Sequence, residues 1–241
     1  MNVFRRYLLF ATGLGLAVAL AIPTHGAAGT NPYERMAPLS QYLMSDRQAE
    51  IALARSAAPP SISEHATVLV LSTHGYETAD TGSNGFTCLV ERGWTAPFDF
   101  AQFWNWKIRG PICYNEAASR TVLTYTIRRT QMVLAGLTNP EMLARTRAAV
   151  ASGQLPLPAL GSMCYMMSKA QYLGDGNGNW MPHIMIYASK AAAAHDGAGW
   201  GADLRGSPVV YDSRETVLPE PETIFMVPVA HWSDGTAAPQ M

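Results

Sequence analysis

Charge is scarce in this chain, and neither sign dominates. Charged residues make up 15% of the 241, with seventeen basic against eighteen acidic. A surface built for nucleic acid carries clustered Lys and Arg that neutralise phosphates, and no such cluster is present, so no nucleic-acid partner is expected. Several motifs are missing outright. There is no GxSxG, HExxH or CxxC, and no phosphate loop, so no catalytic signature assigns a reaction and none names a cofactor. Beyond residue 28 no apolar run reaches the roughly 20 residues of a spanning helix. Internal repeats and long low-complexity tracts are absent as well.

The N-terminus is what stands out instead. Arg5 and Arg6 give a basic start, Tyr7 to Ile22 is apolar apart from Thr12 and two glycines, and Pro23 ends the run before small residues at Gly26, Ala27 and Ala28. This three-part layout predicts an export signal over 1–28, cleaved after Ala28 or after Gly26. The run is too short and too glycine-bearing for an anchor, so no stable membrane span remains after cleavage. Arg5-Arg6 before Tyr7-Leu8-Leu9 also resembles the twin-arginine pattern, although the usual polar flanks are missing. Without the leader, fifteen basic residues face eighteen acidic ones. A periplasmic or secreted location follows. Of the three cysteines, Cys88 and Cys113 flank one aromatic segment and are the expected disulfide, with Cys164 free in a buried strand.

Nearly half the chain is apolar, enough for a sizeable core. The segment 29–60 reads as an extended stretch followed by a helix from Asp46 to Ala57, opened by a capping box of Ser45 with Gln48. The main domain spans 61–236, and 237–241 is a tail. Thr67–Thr73 and Phe86–Arg92 read as strands of one antiparallel hairpin, with a polar turn over Thr78–Gly85 between them. Gly93–Tyr114 is dense in rings and prolines and reads as loop. A helix is expected over Ala117–Ala135, with Val122, Tyr125, Arg129 and Met132 along one stripe. A second begins at Thr138 with Glu141 as its capping box and closes at Gly153. Ser162–Met167, Trp180–Ala188 and Thr223–Ala230 read as strands, with a shorter one at Val209–Tyr211. Ser168 with Gln171 suggests a brief helical turn. Because strands cluster rather than alternate with helices, the expected class is α+β: a single domain with a largely antiparallel sheet packed by two or three helices.

Three groups of residues are candidates for a site. Arg92, Trp94, Trp104, Trp106 and Arg109 frame the ring-rich segment and suit an amphipathic pocket for a small ligand, or else a loop held down on the core. His183 and His74 are candidate bases, with Glu91, Asp175 or Asp234 to orient them and Ser72, Ser168 or Cys164 as nucleophile. Met181, His183, Met185 and Cys164 offer thioether, imidazole and thiol, which suit Cu(I); the competing reading is ordinary core filling by Met and Cys. Asp175–Asn179 has alternate oxygen ligands but lacks the closing acid of a calcium loop, and reads as a turn.

The stretches NGFTCLVERGWTAPFD, FWNWKIRGPICYN, YMMSKAQYLGD and VPVAHWSDGT look like those of a family of uncharacterised bacterial secreted proteins. The resemblance covers most of Ser61 to Thr236. It implies a single exported domain and brings no catalytic residue with it. The first functional reading is therefore a periplasmic small-ligand-binding or accessory protein with an aromatic-lined pocket. A secreted hydrolase using His183 or His74 is the alternative, and copper handling through the Met/His/Cys strands is the third.

Overall fold

The computed structural model describes residues 31–176, 180–189, 207–211 and 217–239. The export signal expected over 1–28, most of the Asp175–Asn179 turn and the Ala/Gly-rich stretch from Ala191 to Gly201 lie outside them. From Asn31 onward the chain is one unit. Among the described residues no helix is long and apolar enough to cross a membrane.

Eight strands form one sheet: β1 (Thr67–Ser72), β2 (Gly75–Asp80), β3 (Thr87–Glu91), β4 (Gly110–Tyr114), β5 (Met163–Met166), β6 (His183–Ser189), β7 (Val209–Tyr211) and β8 (Glu222–Pro228). Their order is β2-β1-β3-β4-β5-β6-β8-β7. Every neighbouring pair is antiparallel except β1 with β3, which run parallel at Thr67–Thr87 and Val68–Cys88. The class is the expected α+β, with five helices among the described residues: α1 (Arg47–Arg55), α2 (Pro60–Ser63), α3 (Glu116–Arg120), α4 (Leu123–Leu134) and α5 (Asn139–Ala151).

Several local expectations are corrected. The hairpin partner of β1 is β2 rather than β3, and it turns at Gly75, whose φ of 115° suits only glycine. β3 then returns beside β1 in parallel. Inside the ring-rich stretch Gly110–Tyr114 is a fully buried strand, despite Pro111. Cys88 and Cys113 lie directly opposite with Cα atoms 4.0 Å apart, the close spacing of a non-hydrogen-bonded pair. Val90–Pro111, two residues along, is a pair of the same kind, so β3 asks no N–H of Pro111. β5 meets β4 only at Cys113 and Tyr114. The expected helix over Ala117–Ala135 is broken at Thr121, whose dihedrals leave the helical region. Asp46, not Ser45, caps α1, accepting from the N–H groups of Gln48 and Ala49. Thr138 and Glu141 do meet at the start of α5, and Gly136 and Gly153 follow α4 and α5 as expected. No helical turn forms at Ser168–Gln171.

Residues paired across the ladder share a face of the sheet. On one face Val68, Val70, Cys88, Val90 and Cys113 are buried under Ile51, Ala54 and Ala57 of α1 and the turn after it. On the other, Leu89, Ile112, Tyr114, Cys164 and Tyr187 pack under Ala118 of α3, Leu123 and Tyr125 of α4, and Val122 at the N-cap of α4. A third cluster gathers Tyr42, Trp94, Phe98, Phe103 and Trp104 against Met132, Val133 and Met142. The ring-rich segment is thus largely core. Gly93 makes its close packing possible, because a Cβ there would stand 2.6 Å from the Phe103 carbonyl oxygen.

Cys88 and Cys113 are disulfide-bonded and Cys164 is a buried thiol, as expected. The bond staples two strands joined by the long loop 92–109. Replacing both cysteines by Ala is expected to lower stability by about 2–4 kcal/mol in urea unfolding, near the loop-closure value for this separation. Cys164 is expected to resist a thiol reagent until denaturant is added.

Candidate functional site

The face of the sheet beneath α4 is not filled completely. A cavity of about 430 Å³ lies there, within the range of small-molecule sites. Its floor is Glu91 at the end of β3, Gly110 opposite it on β4, Tyr114, Met166, Met185, Tyr187 and Ile224. Its roof is the α4 stripe, with Val122 just ahead of the helix and Tyr125, Thr126 and Arg129 at helical spacing within it. Phe100, Ile108 and Leu218 close the sides. Trp180, 42% exposed, stands at the edge of the wall.

Two guanidinium groups on the wall are fixed by buried partners. Arg129 forms a two-pronged pair with Glu220, Nε to Oε1 at 2.7 Å and Nη2 to Oε2 at 2.8 Å. Its Nη1 donates to the carbonyls of Trp94 and Ala96 at 3.1 and 2.6 Å, and its Cζ lies 4.2 Å from the Phe98 ring centre. Arg92 donates to Glu50 at 2.8 Å, to the Tyr42 carbonyl at 2.7 Å and to the Val90 carbonyl. These contacts explain charged side chains at almost no exposure. A buried guanidinium persists only when its donors are matched.

Glu91 is different. Its Oε1 accepts from Thr126 Oγ1 at 2.7 Å and from the Tyr114 hydroxyl at 2.8 Å, while Oε2 receives only a 3.3 Å contact from Thr95. Among the described residues no Lys, Arg or His stands within ion-pair distance of it. Burial pushes its carboxyl above the usual glutamate range, and the three hydroxyl donors together with the Arg129 charge oppose that only in part. The more weakly bonded Oε2 is the natural seat of the proton.

The sequence candidates are scattered by comparison. Trp94 is buried, its indole N–H donating to Thr130 at 3.0 Å, and Trp104 is core. Trp106 meets the Tyr33 ring at 5.3 Å, and Arg109 donates to the Trp106 carbonyl at 2.7 Å; burial and the Arg92 charge lower its pKa to about 10. Of these five residues only Arg92 lines the cavity. The ring-rich segment reaches it instead through Thr95–Pro97, Phe100 and Ile108.

His183 is 1% exposed, and its Nδ1 lies 2.9 Å from the Met181 carbonyl, the one side-chain hydrogen-bond partner it has among the described residues. No acid or nucleophile among the described residues hydrogen-bonds to it. His74 is exposed in the β1–β2 turn beside Thr73. Asp175 is exposed too, holding the Tyr33 and Tyr172 hydroxyls and Lys107 at 2.9 Å, contacts that keep its carboxyl well below the usual range. Asp234 pairs with Lys169, Ser72 bonds the Gly75 carbonyl and Ser168 meets Ser56. The Cys164 thiol contacts the Tyr187 hydroxyl at 3.2 Å, and burial raises its pKa far above the usual value. His183 and Met185 share a strand face, but Met181 precedes the strand. Among the described residues no group of three His, Cys, Asp and Glu side chains is placed to hold a metal ion.

Glu91, Arg92, Thr95, Tyr114, Tyr125, Thr126, Arg129, Tyr187, Glu220 and Glu222 are the polar wall, and of these the sequence points to Glu91 and Arg92 for a site. One signal for the rest was present. Arg129 falls on the stripe of Val122, Tyr125 and Met132, and a charge on a buried stripe requires a buried partner.

Comparison of the chain with protein-family models, with curated proteins and with solved structures finds no match in any of the three.

Arg129→Met is expected to cost about 3–5 kcal/mol in chemical unfolding, because it strands a buried carboxylate. Adding Glu220→Leu should recover part of the loss. Stability should also fall on both sides of a pH optimum. Burial lowers the His183 pKa, so its contribution is present above the ordinary imidazole value of 6.5 and is lost as pH falls. The Glu91 pKa is raised, so its contribution is present below the ordinary 4.5 and is lost as pH rises through the folded value. In unfolding midpoints across pH, His183→Gln should flatten the acid limb and Glu91→Gln the opposite one.

Proposed function

We propose that this is an exported protein that binds a small molecule in the cavity between the sheet and α4. The observation that carries the reading is the wall itself: five rings, from Phe100, Tyr114, Tyr125, Trp180 and Tyr187, around a few anchored polar groups. Ligand sites combine apolar enclosure with sparse, fixed polar contacts in this way. Export to the periplasm or beyond rests on the leader-like N-terminus, the resemblance to secreted bacterial proteins and a disulfide that persists in oxidising compartments.

A second reading, a secreted hydrolase, draws on Glu91 rather than on His183 or His74. A carboxyl whose pKa burial raises is shifted toward the protonated form that a general acid requires. In a screen of nitrophenyl esters and glycosides, turnover abolished by Glu91→Gln supports it, and turnover that survives the change removes it.

Gly110 supplies the test of the binding reading. A Cβ at this position would already meet Leu173, Met166 and Glu91 at 3.4, 3.6 and 3.7 Å, so a larger side chain must extend among the lining groups. The neutral dye N-phenyl-1-naphthylamine is expected to brighten on binding to the protein. Gly110→Leu, checked for folding by circular dichroism, should abolish that response. An equal response in the variant means that the dye, and the ligand reading with it, belongs elsewhere.

A further inference from the structure

The cavity's charges do not balance within its own wall. Arg129 is matched by Glu220, and Arg92 by Glu50 and two carbonyls. The guanidinium donors that would attract an anionic ligand are therefore engaged. Of the other two carboxyls on the wall, Glu222 on β8 is buried and engaged, while Glu91 has Oε1 saturated by Thr126 and Tyr114 and Oε2 weakly held. Rings surround the same space, and ring faces attract cations by their quadrupole. From this unpaired carboxyl inside a cage of rings, we infer that the ligand is an organic cation, a primary or substituted amine with an apolar body, and that Glu91 is its counter-ion. The inference rests on the binding reading above and specifies its ligand class.

The charge state follows from linkage. Without ligand, burial favours the neutral acid at Glu91. An ammonium group seated against Oε2 reverses that preference, since an opposite charge at contact distance favours the carboxylate. Where Glu91 carries its proton, binding replaces the O–H proton with the ammonium, and the proton passes to solvent. Other groups bearing on Glu91 are Arg129 on α4, Thr95 beyond β3, Tyr114 on β4 with Cys164 beside it on β5, and Tyr76 on β2 with Arg92. Burial raises the pKa of Tyr76, Tyr114 and Cys164, which keeps them uncharged at neutral pH, so Glu91 is the group among them that changes charge.

Three probes of one shape decide the matter: 2-phenylethylamine, the neutral 2-phenylethanol and the anionic 3-phenylpropionate. Each is titrated into the purified protein by calorimetry between pH 5 and 8, in two buffers of different ionisation enthalpy. The amine is expected to bind at least about tenfold tighter than the alcohol at neutral pH, the ratio one charge-assisted hydrogen bond supplies. Its affinity should rise with pH, with proton release that is largest at the acid end. Glu91→Gln should remove the amine's advantage and the proton release and leave the alcohol unchanged. The proton count comes from the unmodified protein, so the test does not depend on the variant folding. If the alcohol or the propionate binds as tightly as the amine, the cation inference is overturned while the binding reading stands. If none of the three binds and the naphthylamine response is the same in Gly110→Leu, both fall together.

Discussion

The two-pronged contact of Arg129 with Glu220 is the constraint on which the cavity-bearing half of the molecule is arranged. It joins partners 91 residues apart and sits at almost no exposure. Removing both charges from water is costly, and only close geometry with full use of the donors offsets it. The remaining guanidinium nitrogen is directed at the Trp94 and Ala96 carbonyls. One side chain thereby fixes the height of α4 above the sheet, the path of the ring-rich segment and the approach to β8. The cavity lies beside this pair, with Glu91 and Gly110 on its floor.

The sheet separates two tasks. The α1 face is small and tight, with alanines of the helix against valines and a disulfide. Close approach and a covalent staple give rigidity there without large side chains. The opposite face carries tyrosines, methionines and acids and stays open at one place. A cavity costs stability through lost dispersion contacts, so a rigid opposite layer is what lets the fold keep one.

Legibility in the sequence followed the strength of local patterns. β1, β3, β5, β6 and β8 were each readable because apolar or β-branched runs were bounded by turn residues, and the cysteine pairing followed from compartment and loop position. β2 was missed because Gly75–Asp80 is polar along an edge, with no apolar alternation to mark it. β4 was missed because Gly110 and Pro111 are breakers by local rules; only register shows that Pro111 stands where its partner strand needs no donor. For the site, rings drew attention to Trp94 and Trp104, which fill the core. A ring's burial says nothing about what it is buried against. The stripe through Val122, Tyr125 and Arg129 was legible as a helix face, but the space below it depends on the distance between layers, which no local pattern encodes.

The order of the strands has one more consequence, for how copies of the molecule meet. A sheet that ends in a long apolar edge invites another chain to continue it. Here β2 closes one side and exposes Glu77, Thr78 and Asp80, so the unpaired row of amides lies beside carboxylates that resist desolvation. At the opposite side, among the described residues, β7 spans three residues, Val209–Tyr211, a short edge. The parallel insertion of β3 beside β1 is what leaves the polar β2 outermost. The crossing that the local sequence concealed is therefore also the arrangement that puts a charged strand, rather than an apolar one, at this edge of the sheet.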